Sequence, residues 1–181
     1  MIKKTIILIT IIFATLAATY ALKLLFFKPF SFNHFLTRQL VYDALESPEY
    51  LTYIGILEKY GYRSYNGKLS DYSLEKDIKD LKKLKKEYKI LNSYENEELS
   101  AEELTSKKIS LFQMRNEIDE RTKYPYHSYP LIQMNGLHTR ILEFMTDIHP
   151  IKDEKDAKYY LSRLEMIPIV FSQILEKMEK R

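Results

Sequence analysis

Residues 68–91, KLSDYSLEKDIKDLKKLKKEYKIL, decide the fold class. Within them Leu74, Ile78, Leu81, Leu84, Tyr88 and Leu91 follow at intervals of 4, 3, 3, 4 and 3. A helix returns to the same face every 3.6 residues, so these six form one apolar stripe. Ser73 stands where an N-cap belongs, its hydroxyl placed to accept a first-turn N–H. The outer face holds Lys76, Lys79, Lys82, Lys83, Lys86 and Lys89, interleaved with Glu75, Asp77, Asp80 and Glu87. Opposite charges three or four residues apart meet on a helix surface. That face therefore reads as solvated and salt-bridged, not as a basic binding surface.

Working outward, other segments carry the same period. Asn33–Glu46 reads as a short helix with Leu36, Leu40 and Val41 as its apolar side. Ser47, Pro48 and Glu49 supply a cap, a first-position proline and a first-turn acid. The helix they open carries Leu51, Ile54, Leu57 and Glu58, with Gly61 placed to end it. Tyr62–Ser73 is a loop that Tyr60, Tyr62, Tyr65 and Tyr72 are expected to pack down. Ser100 and Glu103 make a capping box, opening a helix to about Arg121 with Leu104, Leu111, Met114 and Ile118 inward. Two prolines keep Tyr124–Pro130 out of a helix. Leu137, Ile141, Phe144, Met145 and Ile148 then share one helical side, ending at Pro150. A last helix follows a cap at Asp153, with Pro168 expected to kink or split it. No stretch alternates with period two between turn pairs. The fold class is all-α: an N-terminal transmembrane or signal helix, then an irregular bundle of about five to seven helices.

The N-terminus differs in kind. Thr5–Leu22 has no charge and follows Lys3 and Lys4. At about 1.5 Å per residue it spans roughly 27 Å, against a hydrocarbon core of about 30 Å. Tyr20, Phe26 and Phe27 suit an interfacial aromatic belt, and Lys23 can snorkel to headgroups. The organisation expected is a membrane anchor or signal over residues 1–30 and a helical body over 31–181. An uncleaved anchor through Thr5–Phe27 places the body on the extracytoplasmic side of a bacterial inner membrane. The alternative is secretion after cleavage near Thr19-Tyr20-Ala21.

Composition excludes several functions. The net charge is +3, but residues 1–30 hold Lys3, Lys4, Lys23 and Lys28 and no acid. The remainder carries 24 basic and 25 acidic residues, so nothing in it asks for nucleic acid. With no cysteine there is no disulfide, thiolate metal site or acylated lipoprotein cysteine. His138 and His149 are eleven residues apart and do not form a ligand pair on one helical face. No HExxH helix, G-x-S-x-G elbow or glycine-rich phosphate loop is present.

From about Ser47 to Arg181 the chain resembles the N-terminal part of a bacterial family catalogued as domain of unknown function 885. SPEYLTYIGILEKYG is similar to its S-P-x-x-x-T-x-x-G helix, and KLSDYSLEKDIKDLKKLKKEYKIL to its L-x-D-Y-S turn and amphipathic helix. YPLIQMNGLHTRILEFMTDIHPI (129–151) resembles its P-x-x-Q-x-x-G to H-P segment. DEKDAKYYLSRLEMIPIVFSQILEKM resembles its D-Y-x-x-R-L-x-x-x-P helix. Members look like exported, zinc metallopeptidase-like helical proteins whose HExxH helix lies far beyond this point. The resemblance implies zinc only for full-length relatives, and no cofactor, metal ligand or catalytic residue carries over to this chain. Only Gln133, Gly136, His149 and Pro150 match positionally, as possible walls of a cleft. The expectation is a membrane-anchored, truncated or split member without catalysis of its own, with a complementary C-terminal chain as a possible partner. The alternative is a tethered binding or scaffold module.

Overall fold

Seven α-helices and no strand form among the described residues, which in this computed structural model are 2–127, 129 and 131–180. In order they are α1 (Ile2–Phe26), α2 (Phe32–Glu46), α3 (Pro48–Ile54), α4 (Leu74–Asn92), α5 (Ala101–Lys123), α6 (Leu137–Glu143) and α7 (Glu154–Glu179). The fold is all-α, as the periodicity requires. Helix starts are set locally: Ser31, Ser47, Ser73, Ser100 and Asp153 each accept a first-turn N–H. Ser100 and Glu103 close the capping box.

α1 stands apart. Its Thr5–Lys23 span has a mean hydropathy of 2.2 and none of it is buried in the protein. It is long and apolar enough to cross a membrane. The chain leaving it is clamped to the body. Tyr20 stacks on Phe30 with ring centroids 5.5 Å apart, and Lys23 Nζ lies 3.8 Å over the same ring. Arg38 donates to Phe27 O, Tyr94 Oη donates to Pro29 O at 2.8 Å, and Lys28 Nζ donates to Ser93 O at 2.7 Å.

The body has two cores. Phe32 and Phe35 of α2 meet Leu91 and Tyr94 at the end of α4, with Leu111 and Met114 of α5 against them. Lys107 of α5 is buried here and donates to Tyr94 O and, at 2.8 Å, to Asn96 Oδ1. Leu69, Leu137, Ile141, Phe144, Met145, Val170 and Ile174 form the second core, between α6 and α7.

Several local expectations are corrected. On α2 the buried side is Phe32, Phe35 and Arg38, while Leu40 is 64% exposed and Val41 is also exposed. Arg38 Nη2 and Gln39 Nε2 both donate to Glu87 Oε2 at 2.7 Å, which fixes the rotation of α2. Glu87 is accordingly buried and not on the solvated face of α4, and Ile78 is 70% exposed. Helix α3 stops at Ile54, not at Gly61. Gly55 takes φ +58 as its C-cap, and Gly61 at φ +81 closes a separate 3-10 turn, Glu58–Tyr60. Tyr65 packs into the loop as expected, but Tyr60 and Tyr62 are exposed. The helix expected to run to Pro150 leaves α-geometry at a π-turn, Phe144–Ile148, and His149 is extended because a proline follows it. Helix α7 runs unbroken through Pro168, with Val170 and Ile174 fully buried on the turns after it. Ser128 and Pro130 of the expected non-helical stretch lie outside the described residues.

Candidate functional site

The centre of the body is Arg163, which is 0% exposed. It lies in register with the apolar face of α7, where Tyr160, Ile167, Val170 and Ile174 bracket it at helical spacing. Its Nε donates to Lys68 O at 2.8 Å. Its Nη2 donates to Thr52 Oγ1 at 2.7 Å and Tyr65 O at 3.1 Å, with Pro48 O at 3.4 Å. Its Nη1 lies 2.7 Å from His149 Nδ1, and the guanidinium carbon sits 4.7 Å over the Phe144 ring. Among the described residues no carboxylate comes within ion-pairing distance of it. Burial pushes its pKa down to about 10. It remains a cation at neutral pH, held by neutral acceptors alone.

These contacts assign the His149 tautomer. A guanidinium only donates, so Nδ1 is the unprotonated nitrogen and Nε2 carries the hydrogen, facing Asp156 O at 3.5 Å. Burial, and then the Arg163 charge, hold the His149 pKa below its ordinary 6.5. In the unfolded chain the ring titrates near 6.5, so its neutral folded form contributes stability that is complete above that pH. The contribution is lost as pH falls below about 6.5 towards the folded value. We expect urea midpoints to drop as pH falls below about 6.5 and the drop to shrink in His149→Asn. An unchanged pH profile in that variant would exclude His149 as the titrating group.

A polar network continues outward from Thr52. Its hydroxyl lies 2.8 Å from Asn66 Oδ1, and Asn66 Nδ2 donates to Glu58 Oε1 at 2.9 Å. Lys152 Nζ pairs with Glu58 at 2.9 Å. Arg63 Nη1 is 2.9 Å from both Asp153 and the buried Asp156. Asn66 and Asp156 are as inaccessible as Arg163, so the network ties α3, the 58–68 loop and the start of α7 into one knot.

Of the four residues named as possible cleft walls, only His149 reaches this knot. Gln133 is exposed, and Pro150 is half-buried beside His149. Gly136 caps α6, and a Cβ there would stand 2.6 Å from Ile132 O, so the turn itself needs glycine. Sequence reasoning missed Arg163 as the hub. The available signal was a charged residue placed on an otherwise apolar helical stripe. Among the described residues no group of three histidines or carboxylates gathers closely enough to hold a metal ion. What the arrangement does chemically is bind its own backbone: its donors point at main-chain carbonyls and at two side chains.

Arg163 gathers residues from each segment that carried the resemblance: Pro48 and Thr52, Lys68 ahead of the L-x-D-Y-S turn, and His149 of the H-P pair. All of them fall within residues 48–181, which match the family model described as bacterial protein of unknown function (DUF885). No curated protein and no solved structure matches the chain. With most of its length matched and the matched motifs converging on one buried guanidinium, the chain belongs to the DUF885 family.

Proposed function

We propose that this protein is a membrane-anchored helical module whose body, on the extracytoplasmic side, binds a partner and has no catalysis of its own. The observation that carries the reading is the junction of α1 with the body. An apolar span exposed along its length leads into a segment held by Arg38, Tyr94 and Lys28. A cleaved signal needs no such clamp. The two lysines before the span and none of the acids favour a cytoplasmic N-terminus. The zinc chemistry that the resemblance implies needs a ligand set, such as HExxH, which residues 1–181 do not contain.

A complementary chain is the partner the surface favours. Leu161, Leu164, Leu175 and Met178 lie along α7 beside its buried face and are 58%, 40%, 53% and 40% exposed. Exposed apolar runs of this kind mark interaction sites. The chain should stay in the membrane pellet through alkaline carbonate, and alkaline phosphatase fused after Arg181 should be active. Solubilised gently from its own membranes, it should migrate larger than its monomer in detergent. Release by carbonate sinks the anchor. Migration as a monomer sinks the binding role, and stoichiometric zinc with peptide cleavage sinks the non-catalytic reading.

A further inference from the structure

The acids of α4 are committed to partners that leave one of its faces cationic. Glu75 pairs with Lys79 at 2.7 Å, Asp77 with Lys177 at 2.6 Å, and Asp80 with Lys76. Glu87 turns inward to Arg38 at 2.7 Å. Glu46 of α2 takes Lys76 and Lys83. Lys82, Lys85, Lys86 and Lys89 then share one stripe, at positions i, i+3, i+4 and i+7, and all four are exposed. Among the described residues, Lys82, Lys85 and Lys89 have no carboxylate within ion-pairing distance. They line a shallow groove of about 930 Å³ together with Tyr42, Ile78 and Leu81, so apolar side chains and ammonium groups face the same way. That combination is the one by which helices settle at lipid headgroups.

The clamp says what lies opposite. Lys28 and Tyr94 hold the end of α4 against the exit of α1, and Lys89 is one turn, about 6 Å, before Ser93. Phe27 and Phe30, both exposed, lie at the same junction as Lys23 and Tyr20. Aromatic rings with lysines at the end of an apolar span are the signature of a bilayer interface. The cationic stripe starts one turn from that interface, so its Lys89 end lies within about a Debye length of the interface charge.

We propose that Lys82, Lys85, Lys86 and Lys89 dock the body of this protein on anionic lipid headgroups of the bilayer that α1 enters. The proposal rests on the anchor reading. The full chain would be placed in nanodiscs of phosphatidylcholine, or of phosphatidylcholine with phosphatidylglycerol, and trace-labelled with an amine acylating reagent read by peptide mass spectrometry. Labelling of the four lysines should slow about fivefold in the anionic discs relative to Lys123 on α5, and recover at high salt. Equal rates in the two lipids overturn the lysine face and leave the anchor standing. Protection by soluble polyphosphate but not by anionic discs overturns it in favour of a free polyanion. A chain that fails to enter the discs overturns both readings.

Discussion

Replacing Arg163 by methionine is expected to lower the unfolding free energy of the body by roughly 3–5 kcal/mol. Two effects oppose each other. Removing a buried cation whose pKa burial has pushed down to about 10 relieves a desolvation cost. The same change strands the Lys68 carbonyl and His149 Nδ1 in the interior and takes one of their partners from Tyr65 O and the Thr52 hydroxyl. Each stranded acceptor costs about 1–3 kcal/mol, and main-chain carbonyls cannot be substituted away, so the loss wins. Lysine at this position keeps the charge but cannot reach acceptors on three segments, so Arg163→Lys should recover only part of it. The measurement is urea unfolding of both variants beside wild type in one detergent. A loss of less than about 1 kcal/mol in Arg163→Met would show that the guanidinium does not organise the fold.

Glu87→Gln should be nearly as costly, again roughly 3–5 kcal/mol, for a different reason. Arg38 and Glu87 are both almost inaccessible, with side chains 4% and 8% exposed. Neutralising the carboxylate removes the buried counter-charge that Arg38 meets between α2 and α4. Replacing both partners, as Arg38→Met with Glu87→Leu, should cost less than Glu87→Gln alone because no charge is left buried. Arg38 also holds Phe27 O, so the double variant should loosen the exit of α1 while keeping the core. Additive losses in the double variant would mean that the two residues do not act as a pair.

The resemblance and the structure meet at an unexpected place. The segment 129–151 suggests the wall of a cleft through its positional matches Gln133, Gly136, His149 and Pro150. His149 is instead closed inside the protein against Arg163, and Gly136 answers a steric need of its own turn. A groove that opens onto solvent lies on α4, which the sequence presents as an ordinary salt-bridged helix.

Helix existence, start signals and the apolar N-terminal span were legible in the sequence alone. Caps and period act within one or two turns, and Ser47, Ser73, Ser100 and Asp153 each do locally what their chemistry allows. Which face of a helix turns inward was legible only where apolar residues dominate it, as on α6. On α2 and α4 a buried ion pair 49 residues apart in sequence overrode the apolar stripe, exposing Leu40 and Ile78 and burying Glu87. Charge pairing between distant elements is invisible to a periodicity argument. That is why the sequence showed lysines interleaved with acids, and why only the tertiary structure, by drawing those acids to Arg38 and Lys177, left one face of α4 cationic.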